Sequence, residues 1–378
     1  MSGSFPIGMT DARTVDAAHM GAALALGRRG LGRVWPNPAV GCVLAHGSRI
    51  VGRGWTQSGG RPHAETEALV RAGAGARGAT CYVTLEPCSH HGRTPPCADA
   101  LIEAGVSRVV AATGDPDPRV SGRGFERLEA AGIAVEQGLG EAEARFDNAG
   151  FIARIASGRP LVALKTATTL DGRIAAHNGR SQWITGPAAR AAAHRLRARY
   201  DAVMVGARTA LLDNPRLDCR LDGLRDRSPI RIVADGSLAL PPTHHLANDG
   251  GATWVFCRED ADRDRAGALE EAGVRLIRLP AGAEGRMDLA TGLARLAETG
   301  LTRLLVEGGG MLAAALVKAD LVDRIHWFRA PSVMGGDGAP AIAALGAEDP
   351  GEAPRFQLHA RREAGDDIWE VWRRCSPE

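Results

Sequence analysis

The sequence predicts two consecutive α/β domains, and three observations carry that expectation. The chain has 378 residues, enough for two domains that each bury a core of their own. Short apolar runs alternate with helical patterns along nearly its whole length, the order that builds layered α/β folds. No period repeats between the two halves, so the domains differ in kind.

The first helix spans residues 11 to 26, with Ala17, Met20 and Leu24 near helical spacing and Thr10 or Asp11 as its cap. His19 on this helix reads as a surface or packing residue. Residues 40 to 44 and 50 to 52 then read as two short strands joined by a turn at His46-Gly47-Ser48. A helix from His63 to Ala72 follows, with Pro62 suited to its first turn and His63, Glu67 and Val70 spaced along one side. Strands at 79 to 85 and 106 to 112 flank a helix at 97 to 104. The domain boundary falls between Asn148 and Pro160, which gives domains of residues 1–150 and 151–378. The second series comprises strands at 161–165, 202–205, 230–234, 253–257, 274–279 and 303–306, with helices at 187–199, 289–298 and 311–318.

Composition excludes several function classes. Basic and acidic residues nearly balance, 46 against 44, so no global field recruits nucleic acid or an anionic membrane. Arginine carries almost all of the positive charge. Lys165 and Lys318 are the only lysines, and Lys165, at the end of an apolar strand, marks a place where an ammonium is needed. Seven cysteines lack the spacing of a disulfide framework. No basic segment followed by an apolar core opens the chain, and no window approaches eighteen uninterrupted apolar residues. A soluble cytoplasmic protein is expected.

The motif that carries chemistry is His63-Ala64-Glu65 followed by Pro87-Cys88 and Cys97. His63, Cys88 and Cys97 supply three metal ligands and leave a fourth position for water, as a catalytic zinc site requires. Glu65, two residues beyond the ligand, can lie beside that water as a proton carrier. The order matches the H-x-E…P-C-x-x-C signature of zinc deaminases, with the second half stretched to eight intervening residues. The competing reading is a structural zinc knuckle closed by His90 or His91. Those histidines lie in a Gly/Pro/Arg-rich stretch that reads as an exposed loop, which favours catalysis.

A second site is indicated in the other half. Glu307 ends a strand, Gly308-Gly309-Gly310 form a turn, and a helical pattern follows, so backbone amides can approach a pyrophosphate at a helix start. Three glycines after a strand are more often only a tight turn. Weight comes from polar or glycine-bearing turns at 168–173, 181–186, 206–209 and 213–215, all at strand ends, where open α/β sheets bind ligands.

These stretches, with Pro36-Asn37-Pro38, Thr84 through Cys97 and Gly114-Asp115-Pro116-Asp117-Pro118, resemble the bifunctional riboflavin-biosynthesis family. In that family a diaminohydroxyphosphoribosylaminopyrimidine deaminase is fused to a 5-amino-6-(5-phosphoribosylamino)uracil reductase. The resemblance implies a cytidine-deaminase-like α/β/α layered N-terminal domain and a dihydrofolate-reductase-like α/β C-terminal domain that uses NADPH. Matched residue by residue, it assigns Lys165, Ala167, Trp183, Thr209 and Asp213 to the reductase cofactor and active-site region. It assigns Ser181, Arg197, Leu217, Arg220 and Glu307 to the substrate side, and the cofactor phosphates to Gly309, Gly310, Met311, Leu312, Ala313, Ala314 and Ala315. It further implies Glu65 as the deaminase proton shuttle, Asn37 as a substrate contact, and the loop from Ser89 to Thr94 as a phosphate reader. Lys165 and Glu307 are the polar groups expected near the carbon that is reduced, with the proton-handling one of the two left open. The implied partners are small phosphoribosyl pyrimidines, without nucleic acid or membrane, and a homo-oligomer is the expected assembly. Thr169 stands where the family commonly has Ser, and Trp35 precedes the Pro-Asn-Pro turn.

Two rival classes make different demands. A nucleic-acid deaminase calls for basic grooves interleaved with aromatics, yet aromatics are 4% of the chain. A zinc-stabilised binding module has no use for Glu65.

Overall fold

The computed structural model describes residues 12–90, 95–282 and 285–375. The expected cap at Thr10 or Asp11, and the part of the expected phosphate-reading loop at 91–94, lie outside the described residues. The chain divides into two compact units, Met1–Ala156 and Ser157–Glu378.

The first unit runs α1 (Ala12–Gly27), β1 (Gly41–His46), β2 (Arg49–Trp55), α2 (Ala64–Ala72), β3 (Thr80–Val83), α3 (Cys97–Glu103), β4 (Arg108–Ala111), α4 (Arg123–Ala130), β5 (Ala134–Gln137), α5 (Glu141–Asp147) and α6 (Ala149–Ser157). Its sheet has the order β2-β1-β3-β4-β5, with β1 antiparallel to β2 and β3, and β3, β4 and β5 parallel. Strand residues alternate between two cores because successive side chains point to opposite faces. Cys42, Leu44, Val83 and Val109 pack with Ala64, Ala68, Leu101 and Phe125 of α2, α3 and α4. Val43, Tyr82 and Val110 pack with Met20 and Leu24 of α1 and Ala144 of α5. The result is an α/β/α sandwich. Helix α2 lies close on β2 because Gly52 and Gly54 carry no side chain; a Cβ at either would overlap the carbonyl oxygen of Ala68 or Ala64.

Three expectations are corrected here. Helix α2 starts at Ala64, and His63 is its extended N-cap residue, φ −71° and ψ 161°. Val70 does not share a side with the half-buried His63, since it is 76% exposed. The units divide at Ala156/Ser157, inside the expected interval of 148 to 160 but beyond the expected limit at 150, because α6 runs through that interval and its Phe151 joins the first core. Residues 151–156 therefore pack with the first unit.

The second unit runs β6 (Leu161–Thr168), β7 (Arg173–Ala175), α7 (Pro187–Arg197), β8 (Ala202–Gly206), α8 (Ala207–Asp213), β9 (Ile230–Ala234), α9 (His245–Asn248), β10 (Thr253–Arg258), α10 (Arg263–Glu271), β11 (Arg275–Leu279), α11 (Leu289–Glu298), β12 (Arg303–Gly308), α12 (Gly310–Lys318), β13 (Arg324–Arg329), β14 (Ala339–Pro340), β15 (Phe356–Ala364) and β16 (Asp367–Arg374). Its large sheet has the order β11-β10-β9-β8-β12-β6-β13-β16-β15. The run from β11 to β13 is parallel, and β16 and β15 close it antiparallel. Strands β7 and β14 form a separate antiparallel pair. The central strands β12, β6 and β8 are adjacent, so the turns leaving their C-terminal ends gather at one edge. Ligands bind at such an edge in open parallel sheets.

Candidate active sites

In the first unit, two helix starts and one strand end converge. His63 caps α2, Cys97 opens α3, and Cys88 follows β3 through Pro87. His63 Nδ1 lies 3.3 Å from Cys97 Sγ and 3.6 Å from Cys88 Sγ, and all three ligand atoms fall within 4.8 Å of one another. Among the described residues no fourth His, Cys or carboxylate joins this group. One imidazole nitrogen and two thiols at this spacing fit a single zinc ion with an open position. The Cys97 thiol contact, against the effect of burial, and the His63 imidazole hold the Cys88 thiol down to about 4. The thiolate is the form that ligates metal.

Glu65 is 4% exposed, and burial pushes its carboxyl up to about 7, against the pull of the neighbouring His63. It faces a cavity of about 240 Å³ shared with Asn37, His63, Cys88, Asp115 and Arg119. Asn37 Nδ2 donates to the Gly60 carbonyl at 3.0 Å, which fixes the amide in the wall. Burial also pushes the Asp115 carboxyl up to about 6. Arg61, His90 and Arg154 complete a partly basic lining. Sequence reasoning gave no role to Asp115, Asp117 or Arg119, although their Gly-Asp-Pro-Asp-Pro stretch stood out. It also passed over Arg154, whose helix looked like linker.

In the second unit, Lys165 on β6, Arg197 at the end of α7 and Glu307 on β12 form one partly buried cluster. Arg197 donates from Nε to Glu307 Oε1 at 2.6 Å and from Nη2 to Oε2 at 3.0 Å. Lys165 Nζ lies 3.8 Å from Glu307 Oε2. Burial favours a neutral Glu307, but Arg197 and Lys165 outweigh it and hold the carboxyl down to about 2. Lys165 moves the opposite way from a simple ion pair. Burial, helped by Arg197, lowers its pKa despite the pull of Glu307.

The glycine turn between β12 and α12 passes close to Thr209 of α8. Gly309 takes φ +82° and ψ 116°, backbone that glycine alone adopts readily. A Cβ on Gly308 would sit 3.2 Å from Thr209 Oγ1, and one on Gly309 would sit 3.4 Å from it. Thr209 and Asp213 are four residues apart on α8 and share a face. Gly310 opens α12, so the amides of Gly310, Met311 and Leu312 have no partner within that helix. The Ala313 amide already donates to the Gly309 carbonyl, and Ala314 and Ala315 continue the helical pattern. Leu312, Ala313 and Ala314 turn buried side chains to the core, while Met311 is exposed. The first turn of α12, and not the whole stretch to Ala315, is thus the part with amides to offer.

The remaining expected residues fall on β6, ahead of α7 and after α8. Ala167 is half-buried on β6, and Ser181 is half-buried ahead of α7. Trp183 is exposed, with the Arg190 guanidinium 4.6 Å over its ring. Leu217 has φ +53° and a buried side chain, so backbone is what it presents. Arg220 is exposed, 3.5 Å from Asp218 Oδ1.

Comparison with known proteins decides the family. Residues 13–113 match the cytidine and deoxycytidylate deaminase zinc-binding region, and residues 160–369 match the RibD C-terminal domain. The riboflavin biosynthesis protein RibD of Escherichia coli K12 is 42% identical over 364 residues, which cover 93% of this chain and 98% of that protein. The chain belongs to the RibD family. Acinetobacter baumannii RibD, form 1, superposes with a TM-score of 0.85 at 36% identity, covering 96% of this chain and 99% of that one. A Thermotoga maritima diaminohydroxyphosphoribosylaminopyrimidine deaminase/5-amino-6-(5-phosphoribosylamino)uracil reductase superposes with a TM-score of 0.83 at 35% identity, covering 96% and 99%. As a RibD, the chain is a bifunctional riboflavin-biosynthesis enzyme. It has a cytidine-deaminase-like zinc unit and a dihydrofolate-reductase-like unit, and the RibD reductase domain uses NADPH. Among the described residues no helix is long and apolar enough to cross a membrane.

Proposed function

We propose that the first unit hydrolytically deaminates 2,5-diamino-6-(5-phosphoribosylamino)pyrimidin-4(3H)-one to 5-amino-6-(5-phosphoribosylamino)uracil. In the same reading the second unit reduces the ribosyl group of that uracil to ribityl with NADPH. The observation that carries the deaminase half is the convergence of His63, Cys88 and Cys97 on one point beside the buried Glu65. Zinc held by those three residues supplies Lewis-acid activation of water at neutral pH. Glu65, buried beside that point, takes a proton from the attacking water and passes it to the ring nitrogen, then carries the remaining hydroxyl proton of the adduct to the amine that leaves as ammonia. Asn37 and the basic lining orient the phosphorylated pyrimidine.

For reduction, NADPH supplies the reducing equivalent to the ring-opened sugar carbon. The amides at the start of α12, the Gly308-Gly309 turn and Thr209 receive its phosphates. Ala167, Trp183 and Asp213 border the cofactor, and Ser181, Leu217 and Arg220 border the substrate. Glu307 is ionised far below neutrality and clamped by Arg197, so it orients and does not donate. Lys165, with its lowered pKa, is the group that carries the proton. The cytoplasm, which keeps Cys88 and Cys97 reduced, suits both reactions.

The test is incubation of purified protein with the diamino pyrimidine phosphate and NADPH, following ammonia release and loss of nicotinamide absorbance separately. Both signals are expected. Ammonia without NADPH oxidation would remove the reductase half of the reading, and no ammonia would remove the deaminase half.

A further inference from the structure

The loop after β4 forms one wall of the deaminase cavity, through Asp115, Asp117, Arg119 and Val120. A loop at this position needs something to hold it, because short-range turns alone leave a pocket wall mobile. Its internal bonds run from one acidic side chain to the next. Asp115 Oδ1 accepts the Asp117 amide at 2.9 Å, and Asp117 Oδ1 accepts the Arg119 amide at 2.9 Å. The base of this relay is Glu86, 3% exposed, two residues before Cys88. Glu86 Oε2 accepts the amides of Asp115 at 3.1 Å and Gly122 at 3.0 Å, and Oε1 accepts the amide of Gly124 at 2.9 Å. The Glu86 amide in turn donates to the Thr113 carbonyl at 2.9 Å.

Gly124 completes the join from the other side. A Cβ there would overlap the Pro87 carbonyl oxygen and lie 3.0 Å from Glu86 Oε1. The residues on either side of Glu86 explain the arrangement. Pro87 and Cys88 lead to the metal position, and the amides that Glu86 gathers lead to the pocket wall.

We infer that Glu86 is a positioning residue for deamination, a buried carboxylate that holds the 114–124 wall in register with the Pro87-Cys88 turn so that substrate is presented correctly to the metal and to Glu65. Glu86 borders the cavity, but both of its carboxylate oxygens are taken up by amides of the 114–124 wall, so it acts through Asp115 and its neighbours. A carboxylate is required because three backbone donors converge on its two oxygens. An amide in its place turns an NH2 toward at least one of those donors and leaves a buried N–H without an acceptor.

This inference rests on the deaminase reading, and the experiment separates the two. Glu86→Gln and Gly124→Ala attack the same join from opposite sides, and Gly124→Ala keeps the carboxylate. In the full-length, zinc-loaded protein, both variants are expected to raise the KM for the diamino pyrimidine phosphate at least about tenfold. The kcat should stay within about threefold of wild type, since removed binding shows in KM. Zinc content should be unchanged, and NADPH oxidation with the deaminated uracil intermediate should proceed at the wild-type rate. A lowered Tm with wild-type KM would make Glu86 a fold staple only. Loss of zinc in proportion to activity would make it a support of the metal turn and overturn its role at the substrate wall. If Glu86→Gln does not fold, Gly124→Ala decides alone by the same criteria. Wild-type protein that releases no ammonia from this substrate refutes the deaminase reading itself, whereas wild-type turnover with unaltered variant kinetics refutes only the clamp.

Discussion

Arg197 and Glu307, 110 residues apart in sequence, meet through two parallel hydrogen bonds of 2.6 and 3.0 Å. The pair ties the end of α7 to the end of β12 and sets the field in which Lys165 sits. Its two-pronged geometry is the one a guanidinium offers a carboxylate and an ammonium does not.

That geometry has a pH consequence. The folded state holds Glu307 at about 2, below the ordinary glutamate value of about 4.3. A depressed carboxyl contributes stability that is complete above its unfolded value and is lost as pH falls through the folded one. The window is therefore between about pH 4.3 and 2, and the contribution is on the order of 3 kcal/mol. Glu307→Gln is expected to destabilise the protein at pH 7 by roughly 3 kcal/mol, because it leaves the partly buried Arg197 with the Asp218 carbonyl but without its carboxylate partner. Urea unfolding at pH 7 and pH 3 checks this. The deficit should shrink at pH 3, and an equal deficit at both pH values would argue against the assignment.

Lys165→Ala should abolish reduction, at least about 10²-fold in kcat, while ammonia release continues at the wild-type rate. Lys165→Arg is the sharper variant, since it keeps a cation beside Glu307 but one that does not give up its proton near neutrality. Rapid NADPH oxidation by the Arg variant would show that charge, and not proton transfer, is what Lys165 supplies.

The legible parts of this molecule were those where chemistry or burial restricts residue choice. The metal ligands stood out because thiolates and imidazole at that spacing serve few other ends. Strands β6, β8, β9, β10 and β12 stood out because parallel strands covered on both faces read as continuous apolar runs. Strands β13, β15 and β16 did not. Arg324 and His326 interrupt β13 although both are buried, and most of β15 is exposed with charges along it. Helix α4 shows only Phe125 and Leu128 as large apolar residues among its charges, and α6 lay in a stretch read as a boundary. Glu86 was illegible for another reason. Its partners are backbone amides 29 to 38 residues away, and no side-chain pattern records them. Arg197 was reached through family resemblance, since nothing in its spacing points to Glu307.

Cys88→Ser should lose most of the bound metal, because the hydroxyl stays protonated where the thiol ionises and ligates. Wild-type protein is expected to carry about one zinc per chain. Metal analysis after dialysis checks both values, and undiminished zinc in the variant would remove Cys88 from the ligand set.

Gly309→Asp should weaken NADPH binding by at least about tenfold, since it adds a like charge at the helix start where phosphate is received. Gly309→Ala separates charge from backbone strain. It imposes the same unfavourable φ, with a Cβ 3.4 Å from Thr209 Oγ1, but no charge. Cofactor titration should therefore rank wild type above Ala and Ala above Asp, with deamination untouched in both. Unchanged affinity in the Asp variant would make the turn structural only.

Glu65→Gln joins the two halves of the reading. The amide keeps the shape and burial of the side chain and removes its capacity to carry a proton, so ammonia release should fall by about 10²–10⁴-fold. Zinc content should stay near wild type, because His63, Cys88 and Cys97 remain. The reductase residues Lys165, Arg197 and Glu307 all lie in the second unit, so the same variant supplied with the deaminated uracil intermediate should oxidise NADPH at a near-normal rate. Retained ammonia release would exclude Glu65 as the proton carrier. Loss of both activities in a folded, zinc-loaded protein would mean that the two reactions share one centre, against the separation of the metal cluster and the Lys165 cluster into different units.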